Sequence, residues 1–148
     1  MIAYFDTSAI VPLIIDEPSS TICTRLWNDA DRSVSVRLLY PEARAALAKA
    51  RRMDRLTSAQ LTSAIGELDA IVAEIDHIEV TAGLAHAAGD LAQVHRLRGY
   101  DAVHLAAAST AAHAELVLVT GDADLAQASR AVGISVAFTR EFAPPPQT

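Results

Sequence analysis

Cysteine is all but missing from this chain: Cys23 stands alone among 148 residues, so no disulfide can form within it. A single thiol suits a reducing compartment, and a cytoplasmic location is expected. No uncharged apolar run reaches the roughly 18 residues that a membrane-spanning helix needs. The opening Met1-Ile2-Ala3-Tyr4-Phe5-Asp6 lacks the basic start of an export signal and carries an acid inside its apolar stretch. Lysine is as scarce as cysteine. Of twelve basic residues only Lys49 is lysine; the rest are arginine, which favours two-pronged contacts to phosphate or carboxylate. They gather in two groups, Arg44, Lys49, Arg51, Arg52 and Arg55, then Arg96 and Arg98. Eighteen acids leave a net charge of −6, which alone argues against a nucleic-acid binder. A cluster of acids in an active site would itself pull the total negative, so RNA is not excluded. Nucleophilic catalysis finds no support either. Ser8 and Cys23 have no histidine near them in sequence, and there is no Gly-x-Ser-x-Gly turn or glycine-rich phosphate loop.

A hydrophobic share of 51% with 20% charged residues fits a folded globule long enough to bury a core. One domain over residues 1–142 is expected, with 143–148 an extended tail marked by Pro144-Pro145-Pro146. Short β-type runs alternate with helical patterns, which predicts an α/β fold with a central parallel sheet of about five strands flanked by helices. The predicted strands are Ile2–Phe5, Ser33–Val36, His77–Val80, Leu116–Val119 and Ser135–Phe138. Helices are expected from Pro18 to about Asn28 with serine caps, from Leu39 to Arg52, and from Thr57-Ser58 to about Glu74. Further helices are expected from Thr81 to about Leu97 with Gly99 ending it, from Asp101 onward, and from Asp122 to Val132 closed by Gly133.

Chemistry is expected where the strands end, because open parallel sheets bind ligands at their carboxyl edge. Asp6 ends the first strand. Asp122 follows Leu116–Val119 through Thr120-Gly121, with Asp124 two residues on; Asp101 opens a helix, and Glu42 lies in a first helical turn. An aspartate at a helix start is commonly just a cap. Four acids on one edge weaken that explanation, since no basic neighbour in sequence accompanies Asp6, Asp101 or Asp122. Crowded carboxylates repel, and a hard divalent cation relieves them. Oxygen-only ligands name Mg²⁺, with Mn²⁺ as the substitute, whereas zinc would call for histidine and cysteine. The histidines His77, His86, His95, His104 and His113 recur every nine residues. Nine residues is about two and a half helical turns, so neighbours face opposite ways and the series reads as coincidence.

Four segments together carry a family resemblance: "YFDTSAIVPLI", "LLYPEARAAL", "RGYDAVHLAAA" and "LVLVTGDADLAQA". In order and spacing they resemble PIN-domain proteins, specifically VapC-type toxins of bacterial toxin–antitoxin pairs, from Ile2 to about Phe138. The resemblance implies a Rossmann-like PIN fold and a Mg²⁺-dependent endoribonuclease. It places the site acids on Asp6, Glu42, Asp101 and Asp122, makes Asp124 an auxiliary acid, and gives Ser8 and Thr120 as supporting hydroxyls. Asp6 and Asp101 are the expected direct metal ligands. The family often has a bulky or basic residue where this chain has Gly121, a difference expected to bear on how that loop grips RNA. A cognate antitoxin and a homodimer are the implied protein partners. The small-residue run from Ala102 to Ala112 is a candidate dimer surface. Leu26, Trp27 and Leu47 are candidate anchors for an antitoxin segment that inserts a basic side chain among the acids. A receiver domain is disfavoured because Asp76 precedes its strand and no late lysine exists. A dehalogenase-type phosphatase is disfavoured because Asp6-Thr7-Ser8 lacks a second aspartate, and a catalytically silent RNA-binding module because all four acids are present.

Overall fold

The computed structural model describes residues 1–112, 114–142 and 144–145. His113 and most of the proposed tail lie outside the described residues; Pro144 and Pro145 are exposed and outside regular structure. Five strands form the sheet: β1 Ile2–Phe5, β2 Arg32–Val36, β3 Asp76–Ile78, β4 Leu116–Thr120 and β5 Ser135–Phe138. All pairings are parallel, in the order β3-β2-β1-β4-β5, so β1 runs through the middle. Seven α-helices are present among the described residues: α1 Thr7–Ile10, α2 Ser20–Asp29, α3 Leu39–Arg52, α4 Ser58–Glu74, α5 Ala82–His95, α6 Gly99–Ala111 and α7 Ala123–Ala131. Helices cover both faces of the sheet. Strand side chains alternate between these faces, as the pleat requires. Tyr4, Val34, Val36 and Leu118 join Leu84, Leu105 and Leu125 in one core. Ala3, Phe5 and Val119 join Ile10, Leu39, Leu47 and Leu68 in the other.

Several elements depart from the sequence expectation, each for a local reason. The third strand opens at Asp76 and stops at Ile78, short of Val80. Its partner β2 ends at Val36, opposite Ile78, so the ladder has nothing further to pair with. Asp76 thus begins the strand instead of preceding it, at the end remote from the carboxyl edge. The fourth helix prediction overran: α5 ends at His95, closed by Arg96 in the left-handed conformation at φ 55°. Gly99 opens α6 instead of ending α5, placing Asp101 inside the first turn. The serine caps of α2 also fail. Ser19 makes no side-chain cap bond, while Ser20 Oγ accepts from the Glu17 N–H (2.8 Å) and donates to the Ile15 carbonyl (3.1 Å). Sequence reading missed the one-turn α1, the 3₁₀ turn Val11–Leu13 behind it, and the 3₁₀ turn Thr139–Phe142. Leu47 is wholly buried and cannot anchor a partner. Trp27 packs on Phe5, ring centroids 5.3 Å apart, so its face is largely spent on the core. The run expected to serve dimerisation is likewise committed inward: Ala102, Leu105, Ala106, Ala107 and Ala108 are buried.

Candidate active site

The central position of β1 beside β4 sets Asp6 next to the loop Thr120–Asp122. Asp6 caps α1: its Oδ1 accepts from the Ala9 N–H (3.2 Å) and from Ser8 Oγ (2.7 Å). Its Oδ2 accepts from Thr120 Oγ1 at 2.7 Å, so both oxygens are fixed although the residue is only 3% exposed. The clamp continues outward. The Gly121 N–H donates to Ser8 Oγ (2.7 Å), and the Asp122 N–H donates to Thr120 Oγ1 (3.0 Å). Asp122 caps α7, its Oδ1 accepting from the Leu125 N–H at 2.8 Å. Capping and site placement therefore coincide in Asp6 and Asp122, and the cap explanation does not compete with function.

Asp6, Glu42, Asp101 and Asp122 line one open cavity of about 530 Å³, together with Thr7, Ser8, Lys49, Arg98 and His104. The sequence placed these four acids on one edge, and the fold brings them to one cleft. Asp124 does not join them. It is exposed on the first turn of α7 and lines a neighbouring depression with His95, Arg96 and Gln127. Ser8 and Thr120, expected as supporting hydroxyls, both donate to Asp6. Gly121 faces inward: a Cβ there would lie 3.1 Å from Thr139 Oγ1 and 3.4 Å from Ser8 Oγ, so a side chain would press on the clamp.

The electrostatics are those of acids drawn out of water. Burial pushes the Asp6 carboxyl above its ordinary range, against the charge of His104 and the bonds from Ser8 and Thr120. Asp101 is raised by burial and next by repulsion from Asp122, against the pull of Arg98. Contrary to the sequence reading, a basic neighbour does attend Asp101 and Asp122. Arg98 Nε lies 3.4 Å from Asp101 Oδ2 and its Nη2 lies 3.5 Å from Asp122 Oδ2, with the arginine side chain 83% exposed. Of the two basic groups, Lys49 and Arg98 reach the cleft. Arg44 bonds Tyr40 Oη (3.0 Å) and Arg51 faces Ser58 (3.3 Å) and Asp54 (3.8 Å), while Arg55 pairs at 3.4 Å with Glu17, a fifth acid that lines the cleft.

His104 is the residue that sequence reading set aside. It is 2% exposed, its Nε2 lies 2.7 Å from Glu42 Oε1, and its Nδ1 lies 2.8 Å from Tyr4 Oη. Burial alone would lower its pKa; the bond to Glu42 and the fields of Asp6, Glu42 and Asp101 outweigh that and raise it. Burial holds the Tyr4 phenol protonated, its pKa well above the usual value. The sequence signal was the i,i+3 spacing from Asp101, which puts both side chains on one helix face. The nine-residue series hid it.

Residues 3–131 match the PIN domain family. The chain belongs to that family. This PIN domain is 41% identical over 136 residues to Ribonuclease VapC45 of Mycobacterium tuberculosis, covering 92% of this chain and 94% of the relative. Among solved structures it resembles the Mycobacterium tuberculosis toxin VapC20, described as cleaving the sarcin–ricin loop. That match has a TM-score of 0.67 and 18% identity, over 89% of this chain and 95% of the other. A toxin–antitoxin complex from Klebsiella pneumoniae matches with a TM-score of 0.64 and 19% identity, over 93% and 97%. The structural matches bear on the fold alone.

A divalent cation suits the ligand chemistry of this PIN domain, which is carboxylate and hydroxyl oxygen, with Asp6 raised by burial and Asp101 by burial and repulsion from Asp122. As the side chains stand, no three of the described His, Cys, Asp or Glu groups converge enough to hold one ion. Arg98 lies over Asp101 and Asp122, and an ion shared by those two needs the guanidinium withdrawn.

Proposed function

We propose that this chain is a Mg²⁺-dependent endoribonuclease, the toxin of a toxin–antitoxin pair. The observation that carries the reading is that Asp6, Glu42, Asp101 and Asp122 line one cleft together with Lys49 and Arg98. The relative named as a ribonuclease, alike over nearly the whole chain, supports the same reaction. Asp6 and Asp101 would hold the cation, with Glu42 and Asp122 completing the set. When bound, such an ion lowers the pKa of water and offsets charge on a phosphodiester. The chain itself contributes a pre-set carboxylate at Asp6, whose position is fixed by Ser8, Thr120 and the α1 backbone before substrate arrives. Lys49 and Arg98, which line the cleft, would meet phosphates of the bound strand, positioning it without reading its bases. Backbone exposed in single-stranded loops of structured RNA fits an open cleft best. An antitoxin would silence the site by laying a basic side chain among the carboxylates, the place Arg98 partly fills here.

The test is cleavage of a looped RNA by purified Asp6→Asn and Asp101→Asn variants. Both should keep the far-UV circular dichroism of the wild type and lose Mg²⁺-dependent cleavage. Undiminished cleavage in either variant, or in excess EDTA, would sink the proposal. Full binding of RNA by the wild type without any cleavage would favour a silent RNA-binding module.

A further inference from the structure

The four carboxylates are restrained very unequally. Asp6 receives three donors, and Asp122 is tied to the α7 backbone. Asp101 has a short side chain on the first turn of α6. Glu42 has the longest side chain of the four, with an additional rotatable bond. Among the described residues its carboxylate has one hydrogen-bond partner, His104 Nε2 at 2.7 Å. That ring is itself immobilised. Tyr4 Oη bonds Nδ1 at 2.8 Å, and the two rings meet edge to face, 84° between planes with centroids 5.8 Å apart. Tyr4 is fully buried on β1, two residues before Asp6, and His104 sits on α6, three after Asp101. The strand that leads into Asp6 and the helix that carries Asp101 thus carry the link that sets Glu42 on α3.

We propose that His104 is a positioning residue for this site: it acts through Glu42, fixing where that carboxylate meets the cleft, and Tyr4 fixes His104. The proposal rests on the ribonuclease reading and names a further residue of that same site. A merely space-filling histidine accounts for the burial but not for the bond. A core position at the junction of strand and helix is filled as well by leucine, and neither a donor aimed at a site acid nor a hydroxyl on the opposite nitrogen is then needed. The cost of losing the link follows from geometry, since a misplacement of about 1 Å in a catalytic group is worth roughly 100-fold.

The experiment is a double-substitution cycle between His104→Asn and Glu42→Ala, with His104→Gln and Tyr4→Phe beside it. Three quantities are read on the full chain: kcat/KM on RNA, Mn²⁺ affinity by calorimetry without RNA, and melting temperature. Asparagine keeps a group near Nδ1 and abandons Glu42, whereas glutamine can place its amide nitrogen where Nε2 was. His104→Asn should lower kcat/KM and Mn²⁺ affinity by about 10- to 100-fold, His104→Gln should recover most of both, and in the Glu42→Ala background His104→Asn should add no further loss. Equal losses in the two backgrounds, or His104→Asn indistinguishable from wild type in both functional readouts, would overturn the proposal. Should His104→Asn fail to fold, Tyr4→Phe takes its place in the cycle, with a loss confined to the Glu42 background as the supporting result. A wild type that cleaves no RNA but shows the Mn²⁺ coupling would reject the ribonuclease reading and leave His104 in its role.

Discussion

Gly121 shows how little room the carboxylate clamp leaves. Its backbone N–H is the donor that holds Ser8 Oγ, and a methyl group at this position would sit 3.1 Å from Thr139 Oγ1 and 3.4 Å from Ser8 Oγ. Gly121→Ala should therefore lower cleavage by about tenfold, the scale of losing a bond that orients a site carboxylate, with the fold retained. Thr139 Oγ1 is buried and has no partner among the described residues, so Thr139→Ala removes the obstruction at little expense. The pair Gly121→Ala/Thr139→Ala should regain most of the activity, and a double variant no better than Gly121→Ala would contradict the steric account. Cys23 makes a second test at this scale. Burial raises its thiol pKa to about 11, so the folded chain keeps the proton where the unfolded chain, near the ordinary 9.0, gives it up. A raised folded pKa stabilises below the unfolded value and loses that contribution as pH climbs toward the folded one. Melting temperature should fall between pH 9 and about 11, and less steeply in Cys23→Ala; parallel curves would refute the thiol's part.

At the scale of elements, stability and chemistry separate cleanly along α4. Thr57 and Gln60 form a reciprocal capping box at its start: Thr57 Oγ1 accepts from the Gln60 N–H (3.1 Å), and Gln60 Oε1 accepts from the Thr57 N–H (2.8 Å). None of α4 lines the acidic cleft. Thr57→Ala should cost about 0.5–2 kcal/mol in urea unfolding and leave RNA cleavage at the wild-type rate; an activity loss exceeding the loss of folded protein would argue against this. The cap at Thr57-Ser58 was legible in the sequence, though its Gln60 partner was not, and β1 and β5 were legible to the residue and α3 to both ends, because period and punctuation there agree. The ends of β3 and α5 were not. A strand stops where its neighbour stops, and a helix can close on Arg96 in a conformation glycine usually takes; neither is written locally. The site divides the same way. Strand ends gave Asp6 and Asp122, and helix starts gave Glu42 and Asp101. The Tyr4–His104–Glu42 link spans residues up to 100 apart, and no local pattern joins them.

Taken whole, the molecule sets an acidic cleft on one edge of the sheet and an apolar face elsewhere. Leu38, Ala85, Ala92 and Val103 line a shallow depression of about 460 Å³ between α5 and α6. Tyr100, which also lines it, is 58% exposed. Apolar surface left open in this way is a common mark of a protein contact. We expect a homodimer, read by light scattering as twice the 15.7 kDa chain mass; a mass of one chain at high micromolar concentration would reject it. With the small-residue run of α6 turned into the core, its exposed neighbours are the surface to substitute, and Tyr100→Glu should shift the mass toward one chain.

The strand order has a consequence in time as well as in space. Asp6 leaves the ribosome ahead of the other three cleft acids, and its Oδ2 partner, Thr120, is 114 residues behind it. At roughly 5–20 residues per second, synthesis separates the two by about 6–23 s. Until β4 slots in beside β1, Ser8 lacks the Gly121 donor, Asp122 is not yet made, and the cleft has no far wall. A nascent chain at this stage is surrounded by the ribosome's own RNA with its blade still in two halves. The middle strand is made early and completed late, so the fold itself delays the arming of the enzyme.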